Sequence, residues 1–221
     1  FDQPDRPLGS PGTDYSMMRH TLIFLGGPAP ALTAPLPPAE FVIAADRGGD
    51  HALALGYSVD LLVGDLDSVS ASGRLAAIEI EQHPVDKDET DLELALAAAE
   101  RRGFLSITVV GSLGGRPDHA LGNLLALAAQ RWAGLAIEIR VAGATGWVVH
   151  QDFCRTLPEG SSVSLLALGG PAVGVQTTGL RWPLHDEILP SGTGRGLSNQ
   201  VVDNQITVKV ASGVLLLWAL T

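Results

Sequence analysis

The chain has 221 residues, room for one large domain or two small ones. It is 46% hydrophobic and 17% charged, which provides for a core and excludes a disordered chain. Its net charge is −10 and its only lysines are Lys87 and Lys209, which argues against non-specific nucleic-acid binding and leaves an anionic substrate in need of a metal or a few well-placed arginines.

A single cysteine, Cys154, cannot form a disulfide within the chain, so a reducing compartment and a cytoplasmic location are expected. No apolar run reaches the roughly 18–20 residues of a membrane span. Residues 1–16, FDQPDRPLGSPGTDYS, read as a leader or flexible extension and stand apart from the fold. Met17-Met18-Arg19-His20 followed by TLIFLGG has a faint look of a signal peptide. The run is short, however, and Gly26-Gly27-Pro28 breaks it, so it reads better as a first strand.

From about residue 21 to 143, strand-like and helix-like runs alternate. TLIFLGG, FVIAAD, DLLVGD, SITVVG and AIEIRVAG are short, apolar and rich in β-branched residues, as suits strands buried on both faces of a parallel sheet. AIEIEQHP is a weaker strand. A short helix is expected after Asp46, through HALALG. A longer one is expected from Thr90 to about Arg102. Thr90 and Glu93 fit a capping box there, Arg101 and Arg102 suit the negative end, and Gly103 stops it. A third runs from Pro117 to Trp132, with Leu121, Leu124, Leu125 and Ala128 as its apolar stripe and Gly134 as its stop. Beyond residue 144 the texture changes to short strand-like runs: WVVHQDFC, SSVSLLAL, AVGVQTTGL, QVVD, QITVKV and GVLLLWAL, the last with Trp218 in the core. The expected fold is therefore α/β. An N-terminal open, mostly parallel α/β sheet domain (17–143) is followed by a small C-terminal all-β sandwich domain (144–221).

In open α/β sheets ligands bind at the carboxyl ends of the strands. Four polar clusters fall there in turn. These are Asp46-Arg47-Gly48-Gly49-Asp50, then Asp65-Leu66-Asp67-Ser68, then Asp86-Lys87-Asp88-Glu89-Thr90-Asp91, and finally Gly114-Gly115-Arg116-Pro117-Asp118-His119 after Ser112. Two aspartates one residue apart repel unless something cationic sits between them. With the acids of DKDETD they form a hard-oxygen rim suited to Mg²⁺, whereas zinc lacks any His/Cys ligand spacing. Gly114 and Gly115 allow close approach of a ligand to the backbone, a helix start follows, and Arg116 suits phosphate oxygens. Asp118 and His119 are placed to position or deprotonate a hydroxyl. The residues reach as far as Mg²⁺-dependent transfer from a nucleotide and do not name the acceptor.

ADRGGDHALALG, GDLDS, DKDETDLELAL and GGRPDHALGN, in that order, with GLRWPL and GLSN downstream, resemble the thiamine pyrophosphokinase family over about residues 22–219. The resemblance implies transfer of the pyrophosphoryl group of ATP to the hydroxyl of thiamine, giving thiamine diphosphate and AMP. It also implies a homodimer with active sites between subunits, and no nucleic-acid or membrane partner. Asp65, Asp67 and Asp91 would hold Mg²⁺, and Asp46 would lie near the reacting groups. Thr90, Asp91, Gly114, Gly115, Arg116, Asp118 and His119 would meet ATP, while Ser198 and Asn199 would bind thiamine beside an aromatic wall at Trp182. The chain departs from the common ADGGAN motif at Arg47 and Asp50, and has Pro117 where Leu or Phe is frequent. Two rivals stand beside this reading. One is a phosphatase using Asp65 as nucleophile and Asp67 as acid; the other is a binder of thiamine or nucleotide without turnover.

Overall fold

The computed structural model describes residues 19–220. The leader read at 1–16 lies outside them. Four apolar runs become strands buried on both faces: β1 (His20–Phe24), β2 (Phe41–Ala45), β3 (Val59–Gly64) and β5 (Ser106–Val110). They pair in parallel in the order β5-β1-β2-β3. The weaker run forms β4 (Ala77–Gln82), an edge strand beside β3. Its outward Glu79 and Glu81 pair with Arg102 and Arg101, which keeps the open edge charged.

Alternation of the side chains splits the core. Ile23, Ile43, Leu61 and Val63 face α3 (Asp91–Arg101), while Leu22, Val42, Ala44 and Leu62 face α1 (Gly48–Ala54) on the other side. The expected capping box is present: Thr90 Oγ1 accepts from Glu93 N at 3.3 Å, and Thr90 N donates to Glu93 Oε2 at 2.9 Å. A five-residue α2 (Ala71–Leu75), which the sequence reading did not anticipate, follows the GDLDS loop.

The third expected helix overruns its true end. α4 covers Pro117–Leu127, the chain then turns extended at Ala129, and a 3-10 turn covers Gln130–Trp132. Breaking the helix delivers Trp132 into the core with no exposed surface. Only part of the expected apolar stripe is inside. Ala128 is buried and Leu124 is partly so, but Leu121 and Leu125 are 60% and 47% exposed.

The second correction concerns the sheet. β6 (Ala136–Val141) pairs in parallel with β5, then turns through Gly143 into β7 (Ala144–Val149), which runs antiparallel to it. β14 (Leu215–Leu220), β9 (Ser162–Ala167) and β12 (Asn199–Gln200) continue the same sheet. One mixed ten-stranded sheet, β12-β9-β14-β7-β6-β5-β1-β2-β3-β4, therefore runs across residue 143. A second, antiparallel sheet, in the order β11-β10-β13-β8, is built from β8 (Phe153–Thr156), β10 (Ala172–Thr178), β11 (Glu187–Leu189) and β13 (Gln205–Lys209). It covers one face of β7, β14 and β9 through Trp147, Leu165, Leu215, Val175, Ile206 and Val208. Trp218 faces the opposite way, into the α3/α4 core, where Gly146 leaves room for its ring.

Candidate active site

The parallel strands end on one rim, and the acids stand there. Asp46 follows β2 in a left-handed conformation (φ 48°), pinned by its N–H to Val63 O at 2.9 Å. Ser68 Oγ donates to Asp46 Oδ2, and Asp46 Oδ1 is buried without a hydrogen-bond partner. Asp65 follows β3, and its Oδ1 accepts from Asp67 N at 3.1 Å, closing a tight turn around Leu66 (φ 65°). Carboxylate oxygens of Asp46, Asp65 and Asp67 all lie within 4.8 Å of one another. The structure thus gathers Asp46 with Asp65 and Asp67, where the sequence reading grouped Asp91 with them.

Asp91 stands close by at the start of α3. A side chain at Gly64 would lie 3.2 Å from Asp91 Oδ1 and 3.3 Å from Asp46 Cβ, so a glycine with φ 139° is what lets these carboxylates close up. Asp91 is ion-paired with Lys87 Nζ at 3.1 Å, and the same ammonium lies 3.7 Å from Asp65 Oδ2. Burial pushes the Asp91 carboxyl above its usual range; Lys87 pulls against this, while Asp46 and Asp65 add to it. The Asp65 charge is the main influence raising exposed Asp67. Burial opposes the charge on Lys87, but Asp91 and Asp65 outweigh it and hold the ammonium above its ordinary value.

The donor set fits Mg²⁺. It consists of hard carboxylate oxygens, closely grouped, one of them buried and unpartnered, with no nitrogen or sulfur ligand in the group among the described residues. Two supports were missed by sequence reasoning. Ser68 holds Asp46, and Asp50 accepts from Ser70 N at 3.0 Å and from Ser70 Oγ, tying the aspartate loop to α1. Asp50 is one of the two departures from the common motif, and here it braces the loop.

The glycine loop follows β5 on the same rim. Arg116 Nη2 contacts Asp118 Oδ2 at 2.6 Å and its Nε contacts Oδ1 at 3.3 Å, both side chains being exposed. The hydrogen bond from Arg116 leads in pulling the Asp118 carboxyl down to about 2. α4 begins at Pro117 with no cap from the Arg116 side chain, and the backbone N–H groups of Asp118 and His119 turn to the Asp118 carboxylate. His119 is exposed beside them. Thr90 is less free than expected, because its hydroxyl is engaged with Glu93 in the capping box.

The remaining expected residues lie elsewhere. Trp182, Ser198 and Asn199 line an open pocket of about 340 Å³ with Leu165, Leu197, Glu187 and Arg195. Trp182 is 56% exposed, as suits an aromatic wall. Ser198 is held in a left-handed turn (φ 57°) by its N–H to Ser164 Oγ at 3.1 Å. Asn199 lines the pocket with its side-chain amide already engaged. It is buried, with Oδ1 accepting from Trp182 N at 3.1 Å and Gln200 N at 2.9 Å, and Nδ2 donating to Trp182 O at 2.8 Å. Its amide holds the Trp182 turn. Glu187 and Arg195 form an ion pair at the pocket wall, and no spacing in the sequence signalled it.

The α/β half, residues 35–139, matches the family model for the thiamin pyrophosphokinase catalytic domain, and residues 150–215 match that for the thiamin pyrophosphokinase vitamin B1 binding domain. The chain belongs to the thiamine pyrophosphokinase family. Thiamine pyrophosphokinase 1 of Oryza sativa subsp. japonica is 30% identical over 182 residues, covering 75% of this chain and 67% of its own. The thiamine pyrophosphokinase of Bacillus subtilis is 26% identical over 217 residues, 90% of this chain and 98% of its own. The fold is shared with solved structures. That of the Bacillus subtilis thiamine pyrophosphokinase superposes with a TM-score of 0.76 at 23% identity, over 91% of this chain and 99% of that one. A thiamin pyrophosphokinase family protein from Enterococcus faecalis gives 0.77 at 23%, over 92% and 99%. Membership of the thiamine pyrophosphokinase family makes this chain a transferase of the kinase type.

Proposed function

We propose that the chain transfers the pyrophosphoryl group of ATP to the hydroxyl of thiamine in a Mg²⁺-dependent reaction, giving thiamine diphosphate and AMP. The observation that carries this is the convergence of Asp46, Asp65 and Asp67 at one point of the rim, beside Asp91 and on the same edge of the sheet as the Arg116 loop. Asp65 and Asp67 would hold the ion, with Asp46 and Asp91 flanking it. Mg²⁺, when bound, neutralises phosphate charge and helps orient the reacting groups. Arg116 exchanges Asp118 for phosphate oxygens, and the first amides of α4, released from the same carboxylate, take another anionic group. The thiamine hydroxyl oxygen gives up its proton to solvent as it bonds to the β-phosphorus, the bond from that phosphorus to the α–β bridging oxygen breaks with its electron pair staying on that oxygen, and AMP leaves.

In this reading residues 17–143 form the catalytic part and 144–221 the thiamine-binding part, as a homodimer with shared sites. Strand order supports the sharing. Six inter-strand spacings separate β2, which carries Asp46, from β9 beside the Trp182 pocket. At about 4.8 Å each that is roughly 30 Å, beyond the reach of one small substrate. A second copy can bring its own pocket to the rim, and the exposed Leu121 and Leu125 of α4 give it apolar surface to cover. A cytoplasmic location is part of the same reading, supported by the free Cys154.

The test is product analysis with ATP, Mg²⁺ and thiamine. Thiamine diphosphate and AMP, one for one, are expected. ADP with thiamine monophosphate would make the rim that of an ordinary kinase, and a trapped phosphoenzyme lost in Asp65→Asn would favour the phosphatase. Folded protein that binds but yields no product would be a silent binder. A monomer in sedimentation at micromolar concentration would refute the shared site.

A further inference from the structure

Lys87 has a place that the rim chemistry described so far does not use. It is the only ammonium recorded against the acidic rim among the described residues, facing Asp91 at 3.1 Å and Asp65 at 3.7 Å. Its side chain is 12% exposed, and those of Asp65 and Asp91 are 15% and 30% exposed. Asp46 and Asp67 stand beside Asp65, so the ammonium pairs with two of four neighbouring carboxylates. An ion pair on the surface adds little, but a screened cluster of like charges is costly without a counter-charge. Lysine suits a temporary role. It is a compact point charge on a flexible stem, whereas arginine would grip a carboxylate with a planar fork. The stem leaves the chain in the non-helical stretch before α3, which lets the ammonium swing without unwinding an element.

We propose that Lys87 is a resident counter-cation, a positioning residue that holds Asp65 and Asp91 in the metal-free rim and is displaced when the divalent ion enters. This rests on the Mg²⁺ reading of the rim. Lys87 faces Asp65, which would hold the ion, and Asp91, which would flank it, so free metal competes with the ammonium. A metal arriving with a triphosphate does not meet the same opposition, because the displaced ammonium then has phosphate oxygens to meet. Lys87 thereby makes metal entry conditional on nucleotide.

The test is Mn²⁺ binding to nucleotide-free protein, followed by the electron paramagnetic resonance signal of the free ion, with melting temperatures measured in EDTA and in saturating Mn²⁺. Lys87→Met keeps the apolar stem and removes the charge. It is expected to bind Mn²⁺ about tenfold more tightly than the unaltered chain, since a repelling charge near the metal is gone. Lys87→Arg keeps the charge and grips the carboxylates more firmly, so it should bind Mn²⁺ no more tightly than the unaltered chain. The gain in Mn²⁺ affinity brought by ATP should shrink in Lys87→Met. Its melting temperature should fall in EDTA and recover with Mn²⁺, whereas a lysine with a merely structural role would lower it in both. Equal or weaker Mn²⁺ binding by folded Lys87→Met, in a chain that does bind Mn²⁺ with ATP, would overturn the inference and leave the Mg²⁺ reading intact. No Mn²⁺ binding even with ATP would overturn both. Failure of both Lys87→Met and Lys87→Gln to fold in Mn²⁺ would make Lys87 a structural pin and overturn it as well.

Discussion

Asn199→Ala separates a residue that touches thiamine from one that holds the pocket together. Asn199 is 8% exposed and its amide makes three hydrogen bonds, two to the backbone of Trp182 and one from Gln200 N. Alanine removes all three and leaves those part-buried backbone groups without their partner. At about 1 kcal/mol net for each bond, the loss is about 3 kcal/mol, or a fall of about 6–12 °C in melting temperature for a chain of this size. Ser198→Ala is the internal control. It removes an exposed hydroxyl and should change stability by less than about 0.5 kcal/mol. Urea unfolding and a thiamine titration followed by tryptophan fluorescence read the two effects apart. Asn199→Ala should lose stability and thiamine affinity together, because the Trp182 turn loses its anchor. A variant that melts like the unaltered chain yet no longer binds thiamine would refute the anchoring role and make the amide a direct contact.

Trp182→Ala should leave stability nearly unchanged, since the ring is 56% exposed, while thiamine KM rises about tenfold for the lost stacking contact; an unchanged KM would remove Trp182 from the pocket wall. Gly64→Ala introduces a methyl group at φ 139° within 3.2–3.3 Å of Asp91 and Asp46, and should cost about 1–3 kcal/mol and lower turnover about a hundredfold by spreading the carboxylates. Normal turnover in steady-state kinetics would show that the rim tolerates the wider spacing. His150 has both ring nitrogens buried without partners, and burial holds its pKa below the ordinary 6.5. The unfolded chain therefore takes up this proton at higher pH than the folded one, so stability is retained above about pH 6.5 and declines as pH falls towards the lower folded value. His20, lowered chiefly by burial against the pull of Glu138 and Glu40, acts in the same direction. His150→Leu should flatten the fall in melting temperature between about pH 7 and 5, and an undiminished slope would place the acid sensitivity elsewhere.

What the sequence determined alone are the features whose causes lie within a few residues. The capping box at Thr90 and Glu93 starts α3 where expected because its donors and acceptors are three residues apart. β1, β2, β3 and β5 were readable because strands buried on both faces need continuous apolar runs. The acidic rim followed, since parallel strands send their ends to one edge. Tertiary structure decided whatever depends on partners distant in the chain. The sheet crosses residue 143 because Gly146 registers with Ile139 and Trp218, a pairing that no local pattern encodes. α4 stops at Leu127 because Trp132 finds a buried site, not because a stop residue is there. Asp46, nineteen positions before Asp65, joins it through the β2–β3 pairing, while Asp91 turns to Lys87. Asn199 is tied by its amide to the tryptophan turn seventeen residues upstream. Side-chain chemistry named the groups able to bind metal, phosphate and an aromatic ring. Which of them were already engaged with each other was settled only when the sheet brought them within a few ångströms.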